Sequence, residues 1–455
     1  MPTPPPKTAA PEAQTTSLPP SVTHFGLNLI AIAIVLGAMY ALRVNALHVA
    51  NPVLFLCAAL VIPIVAFDVL LLGTHRRKTT GIDWEKSSPL NWTRVVTKLS
   101  GLAATLAPLA LAYWVFPEYR GAFYDPFYGL LKAFWPGLIA TAILYFAFID
   151  GHMREPRDAY WQLGRVVIGK WRDADKATIA NHYRGWLIKG FFLALFVVWL
   201  NNSTHNVINY DLSNASWQNL RAYDFLYDFI FFIDLLLATV GYAMTFRAID
   251  THIRTAEPTM LGWVVALFCY EPFYSGLFAK QYIHYAGIGF GNWLAPHPQF
   301  RWAWGIGILI LITIYVLATV AFGVRFSNLT HRGILTNGPY RYTKHPAYIS
   351  KNLSWWMASV PFVVHDGVLN AIQRCLALGC LNFIYFMRAR TEERHLSWDP
   401  TYVAYALWVN EHGTLAFLGR WLPILKYKPP AVPEQPRVVE AASLQTAAAG
   451  NSPES

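Results

Sequence analysis

Charged residues are scarce in this sequence. Asp, Glu, Lys and Arg make up only 14% of the 455 residues, whereas 55% are hydrophobic and 15% are aromatic. A soluble protein carries roughly 25% charged residues, so this composition excludes an ordinary soluble domain. The long apolar runs instead predict an all-α, polytopic membrane protein whose core is a bundle of transmembrane helices.

Cysteine is also scarce, and the four residues present show no ligand pattern. Each lies in an apolar run, without a CxxC pair or a histidine at metal-ligand spacing. We therefore expect neither disulfide bonds nor a metal site. Internal repeats and a cleavable signal peptide are not evident either, because the first apolar run begins near Phe25 behind a Pro- and Thr-rich lead.

Positive charge is unevenly distributed among the connecting segments. The net charge is +10, and the basic residues concentrate in alternate loops, at 76–98, 154–184, 247–254, 325–344 and 388–394. This alternation follows the positive-inside rule, so we expect these loops and both termini on the cytoplasmic side. An excess of positive charge in a membrane protein suits anionic lipids, and we expect no nucleic-acid partner.

Long apolar runs divide the chain into domains. Each is near the length needed to cross a bilayer, about 20 residues. We predict about ten spans, at 25–46, 51–73, 99–116, 130–150, 185–201, 224–246, 260–279, 302–324, 347–365 and 368–387. The seventh run contains Glu271 and Pro272, which favours a broken or re-entrant segment. The expected domains are a disordered tail at 1–23, a bundle of about seven spans at 24–300, a C-terminal core at 301–427 and a disordered tail at 428–455.

The segment NGPYRYTKHPAYIS, at 337–350, concentrates polar chemistry between two apolar runs. Its Asn-Gly-Pro start predicts a turn, and Pro346 predicts the first turn of a helix. The free amides of that helix would lie beside Lys344 and His345, and helix N-termini of this kind bind carboxylates or phosphates. The alternative is an ordinary basic membrane anchor with interfacial aromatic residues.

The segment FMRARTEERHL, at 386–396, should continue the tenth run as a helix. Its adjacent Glu392 and Glu393 could accept hydrogen bonds from ribose hydroxyls or an ammonium group, or could form a solvated salt-bridge ladder with the nearby arginines. A hairpin of the ninth and tenth runs would bring this segment to the face that holds 337–350. The combined donors and acceptors suit a zwitterionic, amino-acid-bearing nucleotide such as S-adenosylmethionine.

Together these segments resemble the C-terminal core of the isoprenylcysteine carboxyl methyltransferase family. The resemblance lies in TNGPYRYTKHPAYIS at 336–350, RARTEE at 388–393 and YVAY at 402–405. It implies an integral-membrane methyltransferase that binds S-adenosylmethionine in a cytoplasmic pocket and receives a lipid or lipidated acceptor from the bilayer. An isoprenylcysteine carboxylate and a phospholipid both remain open as acceptors, since Lys344 and Ser350 stand where the family usually has Arg and Gly.

The resemblance also implies roles for individual residues. Arg388, His345 and Glu393 are the predicted catalytic residues, and the resemblance places Arg388 near the acceptor and the methyl donor. An amine acceptor must first lose a proton, which His345, Glu392 or Glu393 could take. The predicted cofactor site, completed with neighbours from the same two segments, comprises Tyr340, Lys344, His345, Pro346, Tyr348, Arg390, Glu392 and Glu393.

Two acidic residues inside apolar runs are candidates for a substrate pocket. Asp234 lies in the sixth run and Glu271 in the seventh, and charge at such depth is costly and often functional. The alternative for each is a polar pair inside the bundle, for example with Arg247 or a tyrosine.

Two other functions compete with a methyltransferase. An NADPH-dependent sterol-type reductase would share a similar C-terminal architecture, but the His345–Pro346 and Glu392–Glu393 pairs favour S-adenosylmethionine. A non-catalytic scaffold or transporter is the third reading. The sequence shows no repeated pair of broken helices, so it gives no support to transport.

Overall fold

The computed structural model describes residues 17–216, 219–279 and 284–430, and in this part of the chain almost all regular structure is helical. The α-helices are α1 (Phe25–Arg43), α2 (Pro52–Ala66), α3 (Trp92–Val115), α4 (Asp125–Asp150), α5 (Ala159–Val167), α6 (Lys176–Asn209), α7 (Arg221–Ala243), α8 (Met260–Leu267), α9 (Phe290–Trp293), α10 (Pro298–Phe322), α11 (Pro346–Ser359), α12 (Val368–Leu396), α13 (Pro400–His412) and α14 (Leu418–Trp421). Two short strands, β1 (Thr255–Ala256) and β2 (Thr330–His331), pair antiparallel.

Eight helical segments of the described chain are long and apolar enough to cross a membrane. They are Phe25–Arg43, Pro52–Leu71, Trp92–Val115, Ala122–Asp150, Lys176–Asn209, Arg221–Ala243, Pro298–Arg325 and Val368–Leu396. The seventh and ninth predicted runs form shorter helices, α8 with 8 residues and α11 with 14. At 1.5 Å per residue α11 is about 21 Å long, less than the hydrocarbon thickness of about 30 Å. The chain is therefore a helical membrane bundle in which two of the ten predicted runs contain no single spanning helix.

The seventh run is interrupted, as the proline in it predicts. Helix α8 ends at Leu267, and a π-helical turn, Tyr274–Ala279, follows Pro272. Farther along, the Gly287 amide donates to the Ser359 carbonyl at 3.0 Å. The segment that follows α8 therefore reaches the C-terminal end of α11.

The ends of α2, α7 and α10 meet at one end of the bundle through charged contacts. Asp68 and Arg325 form an ion pair at 2.7 Å, and both side chains are almost fully buried. Nearby, Arg77 lies 3.6 Å from the Asp250 carboxylate. Because a buried charge is costly unless a partner charge or hydrogen bonds compensate it, these contacts fix how the basic loops pack on one another.

Residues 17–23, here called the N-terminal strap, run along the segment between β2 and α11. The Val22 amide donates to the Ile334 carbonyl at 3.0 Å, and the Thr336 hydroxyl donates to the Pro19 carbonyl at 2.7 Å. Arg77 adds a hydrogen bond to the Val22 carbonyl at 2.8 Å. The sequence assigns these residues to the N-terminal tail; the rest of the two predicted tails, 1–16 and 431–455, lies outside the described residues.

Arg332 joins the N-terminal bundle to the C-terminal core. Its buried guanidinium donates to the carbonyls of Thr251 at 2.7 Å, Gly241 at 2.8 Å and Met244 at 2.6 Å. Burial, together with the nearby Arg325, lowers the pKa of Arg332 to about 9. The carbonyl acceptors satisfy the planar fork of this side chain, which has no acidic partner among the described residues.

Candidate functional site

A cavity opens where the strap, α10, α11, α12 and α13 come together. Its walls also include the segment that links α10 to α11 and, from the N-terminal bundle, Tyr270. The cavity reaches from the start of α11 to side chains on the inner faces of α10 and α12. It therefore connects the two segments that the sequence singles out with the interior of the bundle.

The loop before α11 is fixed by its turn residues. Gly338 begins a 3-10 turn, Gly338–Arg341, with φ of 56°. A Cβ at this position would lie 2.7 Å from the Phe25 ring on α1. Only glycine combines this left-handed conformation with such a close approach, and Pro346 then occupies the first turn of α11. The predicted turn and helix start are both confirmed.

Glu393 ties the two predicted segments together. One carboxylate oxygen lies 2.6 Å from the Lys344 ammonium and 3.1 Å from His345 Nε2, while the other lies 2.6 Å from Arg390. The Glu393 side chain is only 6% exposed. Burial lowers the pKa of Lys344, and the negative charge of Glu393 opposes that shift. Both oxygens of Glu393 are thus occupied in holding the start of α11 against the end of α12.

The adjacent Glu392 is differently placed. It lines the cavity, where one of its oxygens accepts a hydrogen bond from the Tyr348 hydroxyl at 2.7 Å. Among the described residues its other oxygen has no partner. Tyr402 also lines the cavity, and its buried hydroxyl lacks a partner in the same part of the chain. This end of the cavity therefore offers a free acceptor and a free hydroxyl to a ligand.

The position of α13, which carries Tyr402, depends on Asp399. The Asp399 carboxylate caps the helix by accepting from the Thr401 amide at 2.8 Å, and it lies 3.2 Å from His331. Burial raises the pKa of Asp399, but the bonds from His331 and Thr401 outweigh it and bring the pKa down to about 2. On the same helix, the Tyr405 hydroxyl donates to the Tyr340 carbonyl at 2.7 Å.

Arg388 lies deeper along α12, surrounded by aromatic rings. Its guanidinium carbon is 5.5 Å from the Tyr270 ring centre, 5.2 Å from Tyr348 and 5.8 Å from Tyr385. It donates to the side-chain oxygen of Asn328, whose amide group donates in turn to the Tyr270 hydroxyl at 3.0 Å. A residue of the N-terminal bundle therefore helps to position a cationic group in the cavity.

The structure brings most of the predicted site residues together. Those that line the cavity are Tyr340, Lys344, His345, Tyr348, Arg388 and Glu392. Three others do not line it. Pro346 starts α11, and Arg390, with 38% of its side chain exposed, pairs with Glu393. The catalytic and cofactor-binding roles stay predictions.

The two candidate substrate residues lie outside the cavity wall. Asp234 accepts hydrogen bonds from the hydroxyls of Tyr315 at 2.7 Å and Thr319 at 2.6 Å, and these two donors do line the cavity. This arrangement matches the alternative of a polar pair with a tyrosine. Glu271 accepts from the hydroxyl and the amide of Ser275.

Several cavity residues escape the sequence-based prediction. Val22, Tyr270 and Asn328 come from segments that carry no motif, and only the fold brings them to the site. Lys351 also lines the cavity. The sequence does carry a signal for Lys351, because a lysine at the fifth position of a predicted span is as unusual as Asp234 and Glu271 are in theirs.

Comparison with known proteins bears on the C-terminal core. Residues 300–398 match the model of the isoprenylcysteine carboxyl methyltransferase (ICMT) family, whereas neither a curated protein nor a solved structure gives a match. The matched range runs from α10 to the end of α12 and contains both Lys344–His345 and Glu392–Glu393, so it confirms the resemblance in those motifs. The chain is a helical membrane protein in which residues 300–398 are similar to a methyltransferase family, the isoprenylcysteine carboxyl methyltransferases.

Proposed function

We propose that this protein is an integral-membrane, S-adenosylmethionine-dependent methyltransferase that acts on a lipid or lipidated acceptor at the cytoplasmic face. The observation that carries the proposal is the shared cavity. His345 and Glu392 line it at the end where α11 begins, and Arg388 and Tyr315 line it among the helices. One space can therefore hold a polar cofactor at one end and admit an acceptor from the bilayer at the other.

The groups at the α11 end fit the chemistry of S-adenosylmethionine. The free oxygen of Glu392 suits an ammonium group or a ribose hydroxyl, and the unpartnered Tyr402 hydroxyl can donate or accept. The N-terminus of α11 offers amide donors and a partial positive charge to a carboxylate. Tyr340, His345 and Tyr348 add ring surfaces beside these polar groups.

Bound S-adenosylmethionine would supply an electrophilic methyl group on a sulfonium centre. The protein's own residues would align the acceptor, exclude water and bind an acidic group of the acceptor at Arg388. A carboxylate acceptor needs no base. For an amine acceptor Glu392 or His345 is better placed than Glu393 to take the proton, since three basic groups already engage Glu393.

The cytoplasmic placement rests on the basic loops. The arginine-bearing ends of α2, α7 and α10 pack on one another, and the strap links Arg77 at the end of α2 to Ile334 in the segment that leads to α11. The positive-inside rule assigns that end to the cytoplasm. The cofactor would then enter from the compartment where it is made.

The test uses the full-length protein in lipid nanodiscs with a total lipid extract. Labelled S-adenosylmethionine and, in parallel, NADPH are supplied, and products are identified by mass spectrometry. We expect a labelled lipid product with S-adenosylmethionine and no reduced product with NADPH. A reduced lipid that forms only with NADPH would contradict the proposal and favour the sterol-type reductase.

A matched pair of variants tests the cofactor site. Glu392→Gln keeps the shape of the side chain but removes the charge, and we expect the affinity for S-adenosylmethionine to fall by roughly tenfold or more. Glu411→Gln, at an exposed position on α13, is the control and should leave the affinity unchanged. Equal affinities in calorimetry for wild type and Glu392→Gln would exclude Glu392 from the cofactor site.

A further inference from the structure

A groove separate from the cavity lies beside the N-terminal strap. Its volume is about 370 Å³, and its wall is formed by the strap, the residue before α1, the segment after α2 and the turn before α11. Ser21 and Thr23 of the strap line the groove, whereas Val22 between them lines the cavity. The strap is therefore a shared wall, and a ligand in the groove would contact the same segment that closes part of the cavity.

This groove lies at the ends of two membrane-spanning segments. His24 directly precedes α1, and Leu72 directly follows the spanning segment Pro52–Leu71. Leu70 and Leu71, on the last turn of that segment, are 79% and 64% exposed. Such side chains contact acyl chains in a bilayer, so the groove lies at the depth of the lipid headgroups.

Arg341 brings an unpaired cation to the groove. Its side chain is exposed and has neither an ion pair nor a hydrogen bond to another described residue. Arg77, the other arginine in the wall, is already engaged, since it donates to the Val22 carbonyl at 2.8 Å and lies 3.6 Å from Asp250. Among the described residues no carboxylate lines the groove itself. The guanidinium of Arg341 is therefore available to an anion.

Two neutral donors accompany Arg341 in the wall. His24 Nδ1 accepts from the Leu27 amide at 3.2 Å, which leaves the Nε2 N–H free. The Ser21 hydroxyl oxygen accepts from the Thr336 amide at 3.2 Å, and its own proton has no acceptor in the described ranges. A guanidinium, an imidazole N–H and a hydroxyl together suit the oxygens of a phosphate.

Asn337 adds an acceptor to the same wall. Its Nδ2 donates to the Thr23 carbonyl at 2.6 Å, which fixes the orientation of the amide. Its buried Oδ1 lacks a partner within the described part of the chain, and an unsatisfied buried acceptor is costly. A phosphodiester that carries a hydroxyl-bearing group, such as glycerol, would serve both the donors and this acceptor.

We propose that the groove binds the headgroup of an anionic phospholipid, of the phosphatidylglycerol class, and that the bound lipid holds the strap against the turn at Gly338–Arg341. The phosphate would accept from Arg341, His24 and Ser21, and the acyl chains would lie along Leu70 and Leu71. Basic residues beside a membrane span attract anionic lipids in this way. The inference does not depend on the proposed methyltransferase function.

The first test counts bound lipids by native mass spectrometry. Full-length protein, freed of lipid in a neutral detergent, is titrated with dioleoylphosphatidylglycerol or dioleoylphosphatidylcholine. Inorganic phosphate is added as a competitor, because it has the same charged group but no acyl chains. The variants are Arg341→Gln, Arg341→Lys and, as a matched control, Arg420→Gln at an exposed position on α14.

We expect wild type to bind its first phosphatidylglycerol more tightly than phosphatidylcholine, and Arg341→Gln to lower that affinity roughly 5- to 10-fold. Arg341→Lys should keep most of the affinity, Arg420→Gln should match wild type, and inorganic phosphate should not displace the lipid. Equal affinities of Arg341→Gln and wild type, or no preference in wild type, would overturn the proposal. An equal loss in Arg420→Gln would reduce it to unspecific charge attraction, and displacement by inorganic phosphate would assign the groove to the free ion.

Hydrogen exchange of the strap tests the consequence of binding. The Val22 amide, which donates to the Ile334 carbonyl, should exchange more slowly in nanodiscs that contain phosphatidylglycerol than in phosphatidylcholine alone. We expect this protection in wild type and Arg420→Gln but not in Arg341→Gln. Equal exchange of wild type in both lipids would contradict a role of the lipid in holding the strap. Neither test contains S-adenosylmethionine, so failure of the proposed function would leave both results unchanged.

Discussion

Adjacent glutamates on α12 should respond very differently to the same substitution. Glu393→Gln removes the charge shared by Lys344, His345 and Arg390. The Lys344 and Glu393 side chains are only 9% and 6% exposed, and removing one partner of such a buried pair costs about 3–5 kcal/mol. Arg390 is more exposed, so the loss of its ion pair with Glu393 adds little to this cost. Glu392→Gln replaces the charged acceptor of one bond, from the Tyr348 hydroxyl, with a neutral amide oxygen, which costs about 1 kcal/mol.

Thermal unfolding and calorimetry, both in the same nanodiscs, distinguish the two substitutions. We expect Glu393→Gln to unfold several degrees below wild type and Glu392→Gln to unfold near it. The affinity for S-adenosylmethionine should fall in both, because Glu392 faces the cavity and Glu393 holds the loop that forms its wall. A second change, Lys344→Met in the Glu393→Gln background, should restore part of the lost stability because it removes the unpaired ammonium.

The same reasoning predicts a pH dependence for Glu393→Gln. Burial already lowers the pKa of Lys344, and the carboxylate of Glu393 opposes that shift. Without the carboxylate, the folded-state pKa falls further below the unfolded value of about 10.4. The folded state then loses its proton at a lower pH than the unfolded state, so the stability deficit should shrink as the pH rises toward the unfolded pKa.

Two results would refute this account. Equal unfolding temperatures for Glu393→Gln and wild type would show that the buried ion pairs do not hold α11 against α12. A loss of stability in Glu392→Gln as large as that in Glu393→Gln would also refute it. That result would show that Glu393 is not the structural carboxylate and Glu392 not the binding one, as the geometry indicates.

The remaining predictions concern the strap and the buried ion pair at the end of α10. Gly333→Ala places a Cβ about 2.7 Å from the Val22 side chain at a φ of 111°, so it should displace the strap and weaken S-adenosylmethionine binding. The control is Gly379→Ala, at a position with open space around it. Equal affinities of Gly333→Ala and wild type in calorimetry would contradict a role for the strap. Asp68→Asn leaves Arg325 buried without its ion-pair partner and should cost about 3–5 kcal/mol in unfolding measurements; an unchanged unfolding temperature would contradict it.

Local signals in the sequence account for much of what could be predicted. The turn at Gly338 and the helix start at Pro346 follow from backbone preferences of single residues, and both are present. The break near Pro272 has the same origin. Span lengths were less predictable, because α11 ends at Ser359 although the apolar run continues beyond it. Apolar composition alone does not reveal where a helix stops.

Pairing between distant segments was only partly predictable. A hairpin of the ninth and tenth runs predicted that His345 and Glu393 meet, and their atoms lie 3.1 Å apart. Which of two adjacent carboxylates would face the cavity was not predictable, because residues 100° apart on a helix look equivalent until neighbouring helices are in place. The places of Val22 and Tyr270 in the cavity wall were not predictable either, because the residues they meet there lie far along the chain.

By itself the sequence determined the class of this protein and the chemistry of its two motif segments. Hydrophobicity, loop charge and turn residues act over short stretches, so they can be read without knowing the fold. Only the tertiary structure decided that Glu393 is a structural hub, that Glu392 is the available acceptor, and that Lys351 and Arg388 face one cavity among aromatic rings. Those properties depend on burial and on contacts between distant helices, which short stretches of sequence do not encode.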